Sequence, residues 1–140
     1  VLCVFISYQS EAQHQTYNIK KYGAVGNGKL ICTKAVQNAV DACNKNGGGE
    51  VNIPTGIFMI GTVHLKSNVH LYLQAGAILR GSTDLNDYED FYAGPPFSHV
   101  HKGMLFTEDA ENITISGEGQ IDGNGDVFFE LDKIKKTKKS

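Results

Sequence analysis

Residues 67–82 read SNVHLYLQAGAILRGS and contain two short strand patterns separated by a turn. Apolar and polar residues alternate over residues 69–73, and the apolar pair Ile78-Leu79 follows the turn at Ala75-Gly76. Alternation with a period of two is typical of a strand that buries one face. Glycine permits the backbone angles that a tight turn needs. The stretch therefore predicts two β-strands of three to five residues with a very short connection.

The same pattern continues on both sides of this stretch. Further short apolar segments, separated by Gly, Asn and Pro, lie at 17–19, 51–53, 57–60, 63–65, 104–106, 113–115 and 121. Residues 82–103 read as a loop. Residues 67–73 resemble residues 111–116, and the distance of about 44 residues predicts two coils of about 22 residues each. Many short strands with very short turns favour a stack of coils over a sandwich with longer strands.

One amphipathic helix is predicted near residues 33–46. Thr33 is a favourable N-cap residue, and the glycines at 47–49 end the helix. The apolar residues between them recur at the spacing of one helix face, at Ala35, Val36, Ala39, Val40 and Cys43. The end of an open stack exposes unpaired backbone groups and apolar side chains. We therefore expect this helix to cap the first coil.

Length and composition indicate one ordinary globular domain. The chain has 140 residues, of which 41% are hydrophobic and 20% charged. No run of 18 apolar residues occurs, so no membrane-spanning helix is predicted. Sixteen Gly against three Pro favour strands joined by tight turns.

The charge is distributed unevenly along the chain. The last eight residues, 133–140, carry five lysines and no acidic residue. The rest of the chain has eight basic and fifteen acidic side chains, and therefore a net charge of −7. A nucleic-acid-binding domain usually presents a basic face on its body. We therefore expect no nucleic-acid partner and interpret the lysine-rich end as a solvated segment.

The beginning of the chain resembles the second half of a secretory signal peptide. Residues 1–8 are mainly apolar, and polar residues follow at 9–13. A first β-strand of the fold is the alternative interpretation. We expect residues 1–13 to be the remnant of a signal and residues 14–140 to form the domain. The protein is then secreted or periplasmic.

The cysteines and histidines give no pattern of a metal or disulfide site. Cys32 and Cys43 lie in or beside the predicted helix, about 16 Å apart along it, whereas a disulfide needs Cα atoms within about 7 Å. We expect both to be small buried side chains. The histidines are scattered, and only His99 and His101 are close in sequence. No metal or cofactor is predicted.

Several segments together carry a resemblance to a known family. They are residues 17–29, 47–56, 64–73, 76–82 and, above all, 117–125, which read GEGQIDGNG. Together they resemble glycoside hydrolase family 28, the polygalacturonase-like enzymes. The resemblance covers residues 17–130 and implies an all-β, right-handed parallel β-helix of the pectate-lyase-like type. One departure is that Leu30-Ile31-Cys32 occupies positions where the family usually has acidic residues.

The resemblance implies a secreted enzyme that hydrolyses polygalacturonate or a related pectic glycan with inversion. Inversion needs two carboxyl groups about 6.5–9.5 Å apart. The family's catalytic motifs, Asn-Thr-Asp, Asp-Asp, Gly-His-Gly and Arg-Ile-Lys, are absent from these 140 residues. We therefore assign no catalytic, cofactor-binding or metal-binding residue here. The chain is predicted to be the truncated N-terminal part of a monomeric enzyme and inactive alone.

Two groups of acidic residues are interpreted without a catalytic role. Asp122 is expected to be a turn residue between strands. Asp84, Asp87 and Asp90 are expected to lie in a solvated loop, although their spacing permits a weak Ca²⁺ contact.

Two other functions remain open on the same fold. A β-eliminating polysaccharide lyase needs a base and usually Ca²⁺, and its product absorbs in the ultraviolet. A non-catalytic β-helix that binds glycans would lack paired aspartates. The Ile-Asp-Gly-x-Gly segment at 121–125 favours the hydrolase over the lyase.

Overall fold

The computed structural model of the chain describes residues 15–92, 95 and 100–125, and the side chains of Tyr92, Val100 and His101 are not among them. The predicted signal remnant at 1–13 and the lysine-rich end at 133–140 lie outside this range. The described strands are β1 (Thr16–Asn18), β2 (Asn27–Ile31), β3 (Gly49–Ile53), β4 (Gly56–Ile60), β5 (Val63–His64), β6 (Val69–Leu73), β7 (Ala77–Gly81), β8 (Phe91–Tyr92), β9 (Val100–His101), β10 (Leu105–Phe106), β11 (Thr114–Gly117) and β12 (Gln120–Asp122). The helix α1 comprises Thr33–Lys45, and 3₁₀ turns comprise Ile19–Tyr22 and Leu85–Asp87.

The strands stack in three parallel sheets. Sheet 1 has the order β1-β3-β6-β11, sheet 2 has the order β12-β7-β4-β2, and sheet 3 contains β5 and β10. Strands from successive coils pair in parallel, as Glu50 with His70 and His70 with Thr114. β8 and β9 form a separate antiparallel pair. The architecture is a right-handed parallel β-helix, as the resemblance to family 28 implies.

Inward-facing side chains stack in columns along the helix axis. Val51, Leu71 and Ile115 occupy matching positions on three strands of sheet 1. Phe58, Leu79 and Ile121 do the same on sheet 2. The first two members of each column are fully buried, whereas Ile115 and Ile121 are 45% and 46% exposed. The described stack thus ends in an apolar surface.

The helix α1 covers the opposite end of the stack. It contacts β1, β3, β5 and β6 as well as the 3₁₀ turn Ile19–Tyr22. The five residues predicted to form its apolar face are all buried. The predicted helix is therefore confirmed to within one residue, as is its position over the end of the stack. Among the described residues, the free cysteines are Cys32 and Cys43; both are buried, and burial raises the pKa of the Cys43 thiol.

Thr33 does not have the predicted N-cap role. Cys32 is the N-cap residue and makes no side-chain capping hydrogen bond, and Thr33 is the first helical residue. The Oγ1 atom of Thr33 instead accepts a hydrogen bond of 2.8 Å from the buried backbone N–H of Gly61. The hydroxyl therefore connects α1 to the first complete coil, because Gly61 immediately follows β4.

The interpretation of the internal similarity as two coils of 22 residues is wrong. Glu50 pairs with His70, 20 positions later, and His70 pairs with Thr114, 44 positions later. The two similar segments therefore occupy adjacent coils, and the whole interval is one coil enlarged by residues 82–103. Asn68 and Asn112 stack at the same turn with left-handed backbones, and Asn112 Nδ2 donates to Asn68 Oδ1 over 3.2 Å.

Two regions contain more regular structure than the sequence pattern predicts. Residues 27–31 are not among the predicted strand segments, but they form β2, which pairs with β4 across an irregular register. The predicted loop at 82–103 contains the 3₁₀ turn Leu85–Asp87 and the pair β8–β9. Within the described residues, no helix combines the length and apolar character that a bilayer span requires.

Candidate functional site

A polar cleft of about 480 Å³ lies between α1 and sheet 3. We call it the helix cleft. Its lining consists of Thr33, Lys34, Gln37, Asn38, Asp41, Thr62, His64, Lys66 and Glu89. None of these residues was predicted to belong to a site, because they come from three segments that only the coil path brings together.

Gln37 forms the wall between the helix and strand β5. Its Oε1 accepts from the backbone N–H of His64 over 2.8 Å, and its Nε2 donates to the carbonyl oxygen of His64 over 3.0 Å. The amide therefore pairs with β5 as a neighbouring strand would. Satisfying both backbone groups matters because an unpaired strand edge exposes a donor and an acceptor.

Asp41 and Lys66 form an ion pair across the cleft. Lys66 Nζ lies 2.7 Å from Asp41 Oδ1, and Gln37 Nε2 donates to the same oxygen over 2.9 Å. Partial burial alone would raise the pKa of Asp41, but the hydrogen bonds from Lys66 and Gln37 and the charge of Lys66 outweigh it. The net result is a pKa below the ordinary value.

His64 and Glu89 connect β5 to the long insertion. His64 Nε2 lies 2.7 Å from Glu89 Oε2. The imidazole also contacts Phe106 and Phe91 edge-on, with ring centroids 5.4 and 6.2 Å apart. The two phenylalanines stack with centroids 3.9 Å apart. These contacts fix the start of the insertion against the third sheet.

The end of sheet 2 carries a second charged pair. Arg80 Nε donates to Asp122 Oδ2 over 3.1 Å, and the backbone N–H of Asn124 donates to Asp122 Oδ1 over 2.9 Å. The Asn124 hydrogen bond and then the Arg80 guanidinium lower the pKa of the Asp122 carboxyl. Asp122 thus stabilises the turn after β12, in agreement with its interpretation as a turn residue.

The three aspartates of the insertion have separate partners. Asp84 accepts from the backbone N–H of Asn86, Asp87 accepts from the Ser82 hydroxyl, and Asp90 pairs with Lys102. No group of three His, Cys, Asp or Glu side chains in the described segments is arranged to bind a metal ion.

Comparison with known proteins shows which proteins this chain is similar to. A scan against models of protein families finds no match. The chain is 35% identical over 130 residues to exo-poly-alpha-D-galacturonosidase from Dickeya chrysanthemi, which covers 86% of this chain and 21% of that protein. It also superposes on the family 28 exopolygalacturonase from Yersinia enterocolitica with a TM-score of 0.73 and 38% identity, covering 81% of this chain and 21% of that one. The chain resembles the family 28 polygalacturonases.

The chain is also similar to a protein that is not named as a polygalacturonase. The chain is 33% identical over 137 residues to plasmin and fibronectin-binding protein A from Streptococcus pneumoniae, covering 91% of this chain and 18% of that protein. The chain spans about a fifth of the length of each of these proteins. The family 28 motifs that carry catalysis are absent from these 140 residues.

Proposed function

We propose that this chain is part of a secreted or periplasmic glycoside hydrolase that cleaves polygalacturonate or a related pectic glycan. The similarity to the Dickeya exo-poly-alpha-D-galacturonosidase over 86% of the chain carries this proposal. The structural superposition on the Yersinia exopolygalacturonase also supports this proposal. In this proposal residues 14–140 supply the helical cap and the first coils of a monomeric β-helix enzyme.

Hydrolysis proceeds with inversion in this proposal. One carboxylic acid protonates the leaving oxygen while a carboxylate activates water on the other face of the sugar, with about 6.5–9.5 Å between them. Parallel strands lie about 4.8 Å apart, so side chains from neighbouring coils provide such spacings. The pair comes from coils beyond those described here, because the family motifs are absent from this chain. The coils of this chain support that site and do not perform the chemistry.

The substrate's charge places a requirement on the rest of the enzyme. Polygalacturonate is anionic, and the chain outside its lysine-rich end has a net charge of −7. On the described surface, Arg80 and Lys102 are paired with Asp122 and Asp90. In the proposed enzyme, the main cationic contacts to the substrate come from further coils, because the body of this chain is acidic overall.

The experiment begins with the source DNA beyond the codon for Ser140. The proposal expects an open reading frame of roughly 250 or more further residues that encodes the paired aspartates. The complete polypeptide is then expected to release reducing ends from polygalacturonate, and NMR of the first product is expected to show the inverted anomer. A frame without paired carboxylates would refute the hydrolase, and an unsaturated product absorbing in the ultraviolet would indicate a lyase.

A non-catalytic binding protein is the second candidate. The observation that favours a binding protein is the sequence similarity to plasmin and fibronectin-binding protein A, which extends over 91% of this chain. A complete polypeptide that retains pectic oligosaccharides or binds a protein ligand, but releases no reducing ends, would support this candidate over the enzyme.

A further inference from the structure

Three side chains from successive coils form a row on the outward face of sheet 1. We call it the Ser116 row, and it consists of Glu50 on β3, His70 on β6 and Ser116 on β11. His70 Nε2 lies 2.6 Å from Ser116 Oγ, and His70 Nδ1 lies 4.0 Å from Glu50 Oε2. A hydroxyl within hydrogen-bond reach of an imidazole is the pair that activates a serine nucleophile, and the Glu50 carboxylate lies close enough to the ring to act on it through its charge.

The register of the sheet fixes this arrangement. Glu50 pairs with His70, and Ser116 pairs with Tyr72, which is two residues after His70 on the same face. The ring of Tyr72 contacts the His70 ring edge-on, with centroids 5.9 Å apart. The imidazole is therefore confined between neighbours on three strands, which lowers the entropy cost of orienting it.

Exposure along the row increases from the carboxylate to the hydroxyl. The side chain of Glu50 is 20% exposed and that of His70 is 29% exposed, whereas Ser116 belongs to the exposed class. The hydroxyl is thus open to a reagent, while the carboxylate is partly shielded from water. Shielding strengthens the interaction of a carboxylate with a nearby imidazolium.

We propose that Ser116 is a nucleophile activated by His70 and that this row hydrolyses small carboxylic esters. With a proton on Nδ1, His70 accepts the Ser116 hydrogen bond at Nε2. The Ser116 oxygen bonds to the ester carbonyl carbon, and its proton moves to Nε2. The bond to the alcohol oxygen breaks, and the alcohol leaves with that proton. Water, deprotonated by His70, then releases the carboxylic acid and restores the Ser116 hydroxyl.

Glu50 acts as a positioning residue in this proposal. At 4.0 Å from Nδ1, its carboxylate stabilises the imidazolium that forms when Ser116 loses its proton. The open face of the sheet favours a short acyl group, because a long acyl chain needs an apolar pocket for binding. This ester hydrolysis does not use the carboxyl pair of the proposed glycosidase, so the two activities can be tested separately.

The test treats the 140-residue chain with a fluorophosphonate probe and, separately, with p-nitrophenyl acetate. In the first reaction the Ser116 oxygen bonds to phosphorus and fluoride leaves. The expected results are a mass increase located on Ser116 and an initial burst of p-nitrophenol from acylation of the serine. Ser116→Ala is expected to lose both. Ser67→Ala is the matched control, because the Ser67 hydroxyl accepts from the backbone N–H of Glu111 instead of contacting a histidine.

His70→Gln distinguishes an activated serine from an exposed one. Removing the general base is expected to slow labelling of Ser116 by about 100-fold or more. Glu50→Gln is expected to slow it less, with an unchanged thermal unfolding midpoint, and Glu50→Asp is expected to restore part of the rate. No label on Ser116, or equal labelling rates in the wild type and in His70→Gln, would overturn the proposal.

Discussion

Truncation of Leu71 tests how the inward columns stabilise the β-helix. Leu71 is fully buried between Val51 and Ile115, whereas Ile115, in the same column, is 45% exposed. Leu→Ala changes at fully buried sites cost about 3–5 kcal/mol through lost transfer energy and the remaining cavity. We expect Leu71→Ala to lower the free energy of unfolding by about 3 kcal/mol. That is a large part of the roughly 5–15 kcal/mol that stabilises a typical domain.

Ile115→Ala is the matched comparison in this experiment. About half of the Ile115 side chain is already in contact with water, so its truncation is expected to cost about 1–2 kcal/mol. Urea unfolding followed by circular dichroism measures both values, and an unchanged m-value shows that the same surface is exposed on unfolding. If Leu71→Ala leaves too little folded protein, Leu71→Val gives the smaller step.

Equal losses for the two truncations would refute this reasoning. That result would mean that Ile115 is as well covered in solution as Leu71, and the apolar end of the described stack would then have a partner. A loss at Ile115 of about half that at Leu71 or less would agree with the exposed end seen in the structure.

The remaining predictions concern single contacts. Thr33→Val is expected to destabilise the fold by about 1–3 kcal/mol in urea unfolding, because the buried Gly61 N–H loses its acceptor, and Thr33→Ser is expected to restore stability. Because the folded-state pKa of Asp41 is lowered, its contribution is present above the ordinary value of 3.8 and is lost as the pH falls through the folded pKa. The urea concentration at the unfolding midpoint should therefore decrease as the pH is lowered through that acidic range. It should decrease less in Lys66→Gln, and an equal decrease in the two proteins would contradict this reasoning. Gly117→Ala is expected to lower the melting temperature, since Gly117 has φ +118° and its Cβ would lie 2.0 Å from a backbone oxygen; an unchanged melting temperature would show that this turn can shift.

Local sequence patterns predicted the elements that depend on local periodicity. The helix at 33–46 was predicted within one residue, because its length and apolar spacing are set by 3.6 residues per turn and by one buried face. The alternation at 69–73 predicted β6 for the same kind of reason, with a period of two. Resemblance to family 28 then supplied the handedness and the stacked arrangement.

The coil path could not be read from the same patterns. The 44-residue repeat was assigned to two coils, although residues 82–103 enlarge one coil by forming a 3₁₀ turn and the pair β8–β9. Strand β2 was missed because Leu30 and Ile31 remain exposed and give no alternating pattern. The size of the enlarged coil and the formation of β2 both depend on which distant strand is available for pairing. A short window of sequence does not contain that information.

The amino-acid sequence by itself determined many short strands with tight turns and one amphipathic helix, and it contained the motifs whose resemblance to polygalacturonases implies a β-helix. Only the tertiary structure decided that Thr33 binds Gly61, that Gln37 covers the edge of β5 and that Glu50, His70 and Ser116 form a row. The physical reason is that burial and backbone periodicity act over a few residues. Contacts between side chains as far as 46 positions apart depend on the length of every intervening coil.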